Sequence, residues 1–413
     1  NDVMQRRMDE VLDGEYQMYS VSSGADQRAH WVKDNSELES IMTNLSDDEL
    51  KAIKRGGFDH KKLYAAFDKA AKSSEKPTVI LVKTLKGYGL GEGSEGRNIA
   101  HQKKTMSDDE RIEIAKRLGI PLSDEECIDA KFYVPDQDSD EMKYLHKRRQ
   151  DLGGYQPIRF EDCKPLKAPD IENFSDFTDG IDRSISTTLA LVRMMSKMLR
   201  DKEIGPYLVP IIPDEARTFG MDGLFSQAGI YSPSGQQYEP VDAGTISPYK
   251  EAKDGQILQE GICEAGALAS FMAAGTAYSH SELPMIPIYI FYSIFGMQRI
   301  GDMVWACGDA MTKGFLIGGT AGRTTLNGEG VQHQDGHSHV LASTVPNMMT
   351  YDPAFAYELA VIMQDGIKRM YQDKEDIFYY ITVYNENYTH PAMPNDAQDG
   401  ILKGMYCFKE ASD

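Results

Sequence analysis

The sequence lacks long apolar runs, paired cysteines and an excess of basic residues. No apolar run approaches the roughly 18 residues that a membrane-spanning helix needs, so we expect no membrane span. The first residues show no charged segment followed by an apolar stretch, so no secretory signal is expected. The five cysteines are scattered without CxxC spacing, which favours reduced thiols in a cytoplasmic compartment over a disulfide framework.

The shortage of basic residues argues against a nucleic-acid partner. Lysine and arginine together number 44, against 64 aspartates and glutamates, and the net charge is −20. A phosphate backbone needs a basic face, and the short basic run 146–149 is better interpreted as a solvated helix face. The apolar fraction of 41% in 413 residues indicates two or three folded domains of ordinary composition.

The ends of the chain indicate a piece of a longer polypeptide. Residue 1 is Asn, and apolar residues at helical spacing begin as early as Met4 and Met8. We therefore expect this chain to be an internal fragment.

The second half of the chain alternates apolar strands with helices. Helices are expected over 257–278 and 303–310, and Asp352 followed by Pro353 is expected to cap and open a third. Continuous apolar strands between such helices predict an α/β fold, with mainly parallel sheets covered by helices on both faces. The predicted strands are 208–212, 285–292, 315–317 and 377–383.

The first half repeats this pattern more weakly. A helix is predicted over 62–72 and a buried strand over 78–82, and a long glycine-rich loop follows. Residues 105–180 are polar, acidic and proline-bearing, which predicts a connector along the surface between two α/β domains.

The most informative segment is RTTLNGEGVQHQDGHSH, residues 323–339. Its glycines allow close approach to a ligand, and its imidazoles and carboxylates are groups that transfer protons or bind metals. The spacing of the histidines matches no established zinc signature. Catalytic or substrate-orienting histidines are therefore favoured over metal ligands, with structural hydrogen bonding as a third interpretation. The titratable residues of this loop are His333, His337, His339, Glu329 and Asp335.

The other glycine-rich loop, residues 86–104, contains a GxGxxG pattern that starts at Gly91. A dinucleotide fingerprint would open an apolar helix directly after a strand, whereas here Glu92 and Glu95 would repel a pyrophosphate. A mobile loop that carries His101 toward a substrate is favoured, and a flexible surface connection is the alternative.

Three acidic positions are further candidates. Glu264 lies in the small and apolar stretch ICEAGALASFMAAG, where burial would raise the pKa of its carboxyl; a glutamate on the helix surface is the plain alternative. Asp214 and Glu215 follow the predicted strand 208–212, and ligands of open α/β sheets bind beyond such strand ends. A structural cap for the next turn is the competing explanation for these two acids.

Several segments of the sequence together carry a family resemblance. These segments are DEARTFGMDGLF (214–225), GIYSPSGQQYEPVD (229–242), GQILQEGICEAGA (255–267), FYSIFGMQRIGD (291–302), RTTLNGEGVQHQDGHSH (323–339) and YNENY (384–388), with KGYG and NIAHQ in the first half. They resemble the homodimeric bacterial pyruvate dehydrogenases. The resemblance implies a transketolase-type fold, thiamine diphosphate and Mg²⁺ as cofactors, a homodimer and a cytoplasmic location. It also implies oxidative decarboxylation of pyruvate and reductive acetylation of the lipoyl group of dihydrolipoyl acetyltransferase.

The resemblance implies roles for residues around the cofactor's pyrimidine. Glu264 matches the glutamate that hydrogen-bonds the aminopyrimidine ring and promotes the imino tautomer, which produces the ylid that attacks pyruvate. An apolar setting would let the carboxyl of Glu264 stay protonated and donate. Tyr292 and Phe295 match the aromatic residues that flank this ring.

Further matches lie at the substrate end of the cofactor and in the first half of the chain. Lys86 and His101 match the active-site loop and its base, with the histidine serving reductive acetylation. The residues of the second half that match the substrate end or its channel are His333, Glu329, Asp214 and Glu215. We expect one cleft at the carboxyl ends of the strands to collect Glu264, Tyr292, Phe295, Glu329 and His333.

One motif of the family is absent from the sequence. In the family Mg²⁺ binds at a GDG motif followed by an asparagine, and no GDG occurs in these 413 residues. The resemblance therefore implies Mg²⁺ ligands upstream of this chain, none within it, and an inactive fragment. The implied domains are the end of the diphosphate-binding domain with a connector (1–163), the pyrimidine-binding domain (164–393) and the start of a third domain (394–413).

Other functions remain open at this point. A transketolase-like or other 2-oxoacid dehydrogenase activity would use the same fold. A metal-dependent hydrolase would use the three-histidine loop with Asp214 and Glu215. A non-catalytic fragment that only binds partners is the third alternative.

Overall fold

The computed structural model describes residues 2–33, 35–53, 56–155, 163–213, 216–323 and 330–411. The chain forms two compact units, Asn1–Gly153 and Gly154–Asp413. The domain boundaries expected at residues 163 and 393 stay a prediction.

The first unit is helical in the residues described. Three of its helices begin with a capping box, in which a serine and the glutamate three residues later bond each other's backbone N–H. These signals explain why the acidic stretch after residue 105, expected to be a connector, is largely helical. The helices of this unit are α1 (Asp2–Glu10), α2 (Asp13–Val21), α3 (Gly24–Val32), α4 (Ser36–Met42), α5 (Asp47–Ala52), α6 (His60–Lys72), α7 (Asp108–Leu118), α8 (Asp124–Ile128) and α9 (Asp140–Asp151).

The segment after α6 differs from its prediction. The helix predicted over 62–72 is confirmed as α6, but the strand predicted over 78–82 is wrong for this chain. Val79 and Leu81 are 83% and 92% exposed, and α6 buries none of its residues. A strand needs a neighbour for its backbone hydrogen bonds, and the described part of the first unit contains no strand.

Every strand found in the described residues belongs to the second unit. Its helices are α10 (Ser175–Thr178), α11 (Thr187–Met198), α12 (Phe225–Ala228), α13 (Glu264–Ser281), α14 (Ser293–Asp309), α15 (Ser338–Ala342), α16 (Ala356–Ile367), which continues as a π-helix over Lys368–Gln372, and α17 (Gln398–Leu402). Its strands are β1 (Ile181–Ile185), β2 (Leu208–Ile212), β3 (Ile230–Tyr231), β4 (Glu251–Ala252), β5 (Leu258–Gln259), β6 (Ile286–Tyr292), β7 (Phe315–Gly319), β8 (Met348–Tyr351), β9 (Phe378–Thr382) and β10 (Tyr388–His390).

Six of these strands form one sheet in the order β5-β2-β6-β7-β9-β8, and every pairing in it is parallel. Separate small sheets pair β1 with β10 antiparallel and β3 with β4 parallel. The central strands are continuously buried, as the apolar runs predicted. The prediction of a mainly parallel α/β fold is confirmed.

Two glycines at the carboxyl end of β7 allow close packing beside the strand ends. A Cβ atom on Gly318 would lie 2.5 Å from the Tyr380 hydroxyl, and one on Gly319 would lie 2.8 Å from the ring of Phe219. Only glycine fits there, so the side chains of neighbouring loops reach the end of the sheet. Within the described ranges, no helix is long and apolar enough to cross a bilayer.

Several helix bounds differ from the predictions. The helix expected from residue 257 begins at Glu264, because Leu258 and Gln259 pair with β2 as an edge strand. The helix expected from residue 303 begins ten residues earlier, at Ser293, directly after β6. Asp352 does not cap a helix, since α16 begins at Ala356.

Candidate active site

A cluster of three aromatic rings lies where β6 ends and α14 begins. Tyr292 is the last residue of β6, Phe295 lies in the first turn of α14, and His333 ends the 3₁₀ turn Val331–His333. The Tyr292 and Phe295 ring centroids are 6.0 Å apart, and the His333 ring lies 5.0 Å from the first and 5.3 Å from the second. All three pairs meet edge to face, the arrangement that aromatic quadrupoles favour.

Glu264 reaches the same cluster from the first residue of α13. Its carboxylate, in a side chain only 14% exposed, forms an ion pair with the guanidinium of Arg299. That guanidinium lies over the ring of Phe295, at 4.5 Å from the ring centroid. The Tyr289 hydroxyl donates a hydrogen bond of 3.3 Å to the Glu264 carbonyl and ties the start of α13 to β6.

The structure therefore brings Glu264, Tyr292, Phe295 and His333 together at the carboxyl end of the central strand β6. The purely apolar setting expected for Glu264 is wrong, because a guanidinium contacts its carboxylate. Three other predicted site residues lie outside the described residues: Asp214, Glu215 and Glu329.

Asp335 organises the loop that follows His333. Its buried carboxylate accepts hydrogen bonds of 3.1 Å from the backbone N–H groups of His337 and Ser338, and one of 2.5 Å from the Ser338 hydroxyl. Burial alone would raise the pKa of this carboxyl, but the serine hydroxyls and backbone N–H groups around it hold the pKa below its usual value. Asp335 is thus a charged anchor of the loop.

The three histidines of this loop have three different surroundings. His333 joins the aromatic cluster, whereas His337 is exposed and lies 3.0 Å from the amide nitrogen of Gln298. His339 Nε2 lies 2.9 Å from the Thr382 hydroxyl, and burial lowers the pKa of this imidazole. In the described ranges no three histidine, cysteine, aspartate or glutamate side chains form a group that could hold a metal ion.

Asp352 bonds the threonine that His339 contacts. Its carboxylate accepts hydrogen bonds of 2.5 Å from the hydroxyls of Thr382 and Tyr384. Because the Thr382 hydroxyl donates to Asp352, the Nε2 of His339 must donate to Thr382. Sequence patterns gave no signal for this network, since its members come from three separate segments.

The glycine-rich loop of the first unit carries the remaining predicted residues. The ammonium of Lys86 hydrogen-bonds Nδ1 of His101. The loop is packed within its own unit, since the Tyr88 ring stacks on Phe58 with centroids 3.8 Å apart and planes 13° apart, and the mobility expected for the loop stays a prediction. Arg117 also pairs with Glu95 of this loop at 2.5 Å.

Arg299 is the site residue that the sequence interpretation missed. It follows Phe295 by four residues, so both side chains leave the same face of α14. That spacing was a usable signal, but only the packing of α14 against α13 places the guanidinium at Glu264.

A family model described as "Pyruvate dehydrogenase E1 component middle domain" matches residues 166–391. The chain belongs to this family. The match covers the six-stranded sheet of the chain and the three residues of its aromatic cluster.

Curated relatives of this E1 family chain extend the similarity to nearly its whole length. The pyruvate dehydrogenase E1 component of Pseudomonas aeruginosa is 54% identical over 409 residues, which are 99% of this chain and 46% of that protein. The component of Escherichia coli K12 is 52% identical over 401 residues, 97% of this chain and 45% of that protein. The component of Cupriavidus necator is 47% identical, over 99% of this chain and 46% of that protein. The chain thus spans about half the length of these curated relatives.

Solved structures confirm the transketolase-type fold of the chain. Two transketolase variants from Pichia stipitis, one in complex with fructose 6-phosphate, each superpose with a TM-score of 0.52 and 15% sequence identity. Each superposition covers 88% of this chain and 52% of the transketolase chain. At this identity the likeness establishes the fold alone.

Proposed function

We propose that the full-length protein is a pyruvate dehydrogenase of the acetyl-transferring type. It decarboxylates pyruvate oxidatively with thiamine diphosphate and acetylates the lipoyl group of dihydrolipoyl acetyltransferase. The observation that carries this proposal is the convergence of Glu264 with Tyr292, Phe295 and His333 at one sheet edge in a chain of the E1 family. Because this chain spans about half of its relatives, the activity belongs to the longer protein.

The residues present fit the aminopyrimidine ring of thiamine diphosphate. Aromatic rings offer faces and edges for stacking, and a carboxylate shielded from water offers a directed partner for a ring nitrogen. When bound, thiamine diphosphate supplies the carbon nucleophile for the 2-oxo acid. Glu264 holds or transfers a proton at the ring nitrogen, while Tyr292 and Phe295 orient the ring and exclude water.

His333 lies at the substrate side of the same cluster in this proposal. Its ring is held on two sides by Tyr292 and Phe295, so it can orient a carboxylate or carbonyl of the substrate. Glu329, Asp214 and Glu215 complete this side as cofactor-binding and catalytic acids, on the basis of the motif match alone.

The first unit contributes the loop chemistry. His101 transfers a proton during acetylation of the lipoyl group, and Lys86 helps to hold the loop and the cofactor. The hydrogen bond between these two side chains supports a shared role. Mg²⁺ would be held by residues of the longer protein and would neutralise the charge of the diphosphate.

A homodimer is supported by the outer face of α13. The first three turns of this helix are small or apolar apart from Glu264 and Ser270, yet Ala265, Ala269 and Ala273 lie exposed on one face. A helix that is apolar all round is normally buried, so we propose that a second copy of the protein covers this face. The absence of cysteine pairs supports a cytoplasmic location.

Glu264→Gln tests the proposed function in the full-length protein. Turnover with pyruvate at saturating thiamine diphosphate should fall by about 10²- to 10⁴-fold, because a placed proton-transfer group is lost. Circular dichroism and the thermal midpoint should stay unchanged, since the substitution keeps the size of the side chain. Glu172→Gln, at an exposed position, is the matched control and should retain full turnover. Normal turnover in Glu264→Gln would contradict the proposal.

A further inference from the structure

Arg299 connects the two parts of the site on which the proposed function rests. Its guanidinium pairs with the carboxylate of Glu264 and, at the same time, covers the ring face of Phe295 at 4.5 Å. One side chain thus makes both contacts that a bound ring would need: a polar edge toward Glu264 and a flat face on Phe295.

The chemistry of these two contacts is shared by a guanidinium and an aminopyrimidine. Both are planar, both carry an N–C–N edge, and both stack on aromatic rings. The carboxylate of Glu264 accepts hydrogen bonds from the guanidinium, and a proton shared between that carboxyl and a ring nitrogen makes the corresponding contact with an aminopyrimidine. The guanidinium therefore occupies the position that the proposed function assigns to the aminopyrimidine ring.

We propose that Arg299 competes with the cofactor's aminopyrimidine ring for Glu264 and Phe295, and that it sets the affinity of the site. This inference rests on the proposed function, because that function supplies the ring. A ligand enters when it replaces both contacts of Arg299. A ring that only stacks on Phe295 would displace the arginine and leave the carboxylate of Glu264 without a partner, which disfavours its binding.

Because Arg299 is half exposed, a ligand can replace its two contacts at little cost in free energy. The Arg299 side chain is 49% exposed, so the guanidinium can turn into solvent without losing a buried environment. Ion pairs with such exposure contribute little to stability and weaken further with added salt. Arg299 therefore delays or weakens entry of the ring without blocking it.

The test measures binding of thiamine diphosphate to the full-length protein by titration calorimetry with excess Mg²⁺. Arg299→Met should bind thiamine diphosphate roughly 1.5- to fivefold more tightly than the parent, the range expected for removing one weak competing ion pair. The ratio of the two dissociation constants should approach one as salt is raised, since salt already weakens the pair in the parent. Arg193→Met, at an exposed position of α11, is the matched control and should leave the affinity unchanged.

A double substitution separates this inference from the proposed function. In a Glu264→Gln background the carboxylate that anchors Arg299 is gone, so adding Arg299→Met should give no further gain in affinity. Equal or weaker binding by Arg299→Met in the parent background would overturn the inference. The proposed function fails separately, through normal turnover of the Glu264→Gln protein.

Discussion

At the scale of single residues, the partners of a shielded carboxylate decide whether it is free to act. Glu264 and Asp335 are both shielded carboxylates, but Arg299 faces the first and backbone N–H groups face the second. Asp335 is thereby fully used in holding its loop, whereas Arg299, the ion-pair partner of Glu264 among the described residues, can be replaced by solvent. The difference between an anchor and a candidate reactive group lies in these partners.

Lys313 gives a prediction at the residue scale. It is buried at the start of β7, where its ammonium donates to the Met370 carbonyl at 2.5 Å and lies 4.7 Å from the Tyr278 ring centroid. Burial lowers the pKa of Lys313 from 10.5 to about 8, and Lys374 adds to this effect. The charges of Asp376 and Cys163 act in the opposite direction.

Since the folded pKa of Lys313 is depressed, the unfolded chain binds more protons between pH 8 and 10.5. The free energy of unfolding should therefore rise with pH across this window, by up to about 3 kcal/mol from this one group. In Lys313→Met this part of the rise should vanish. Urea unfolding at several pH values measures it, with the exposed Lys202→Met as control. Equal slopes in the parent and Lys313→Met would contradict the expectation.

At the scale of elements, the glycine-rich loop of the first unit shows how a polar segment can be held. Tyr88 stacks on Phe58, and Arg117 of α7 pairs with Glu95. The side-chain amide of Gln17 in α2 donates to the Gly96 carbonyl at 3.0 Å. These contacts hold the loop at Tyr88, Glu95 and Gly96, and His101 comes after them in the chain.

His101→Ala tests the role of this loop in the full-length protein. Decarboxylation of pyruvate, assayed with an artificial electron acceptor, should stay close to the parent rate, because that step occurs at the cofactor. Acetylation of a lipoyl domain should fall by about 10²-fold or more, since it loses a proton-transfer group. His60→Ala, at an exposed position, is the control. Equal losses in both assays would place His101 in the shared chemistry instead.

At the scale of the whole molecule, the two units differ in how they bury apolar sequence. The second unit encloses its strands between helices, whereas the first leaves the run Thr78–Val82 and the apolar side of α6 exposed. Such a continuous apolar run is typical of a parallel strand buried on both faces. The curated relatives are about twice as long as this chain, so they have residues that could cover this surface.

We therefore expect the amides of residues 78–82 to be protected in the full-length protein. Hydrogen exchange there should be at least about 100-fold slower than in the 413-residue chain, because pairing in a sheet removes these amides from water. The exposed loop 241–246 of the second unit is the control and should exchange equally fast in both. Equal exchange at residues 78–82 in the two proteins would show that the run stays uncovered.

The sequence by itself determined the parallel sheet and pointed to four of the residues that meet in the candidate site. Apolar runs predicted β2, β6, β7 and β9, because a strand buried on both faces must be apolar at every position. The motifs around Glu264, Phe295 and His333 located the site residues, since each motif is a local pattern. Helix starts were less accurate, because Glu264 and Ser293 begin helices where strand pairing ends rather than at a strong capping signal.

Only the tertiary structure decided the partners of these residues. Arg299 meets Glu264 because α13 and α14 pack side by side, and no local pattern encodes a contact between residues 35 positions apart. The same holds for the histidine loop, where His333, His337 and His339 enter three environments that depend on β6, α14 and β9. The exposure of Thr78–Val82 is also a tertiary property, because a strand forms only beside another strand and the described part of its unit contains none.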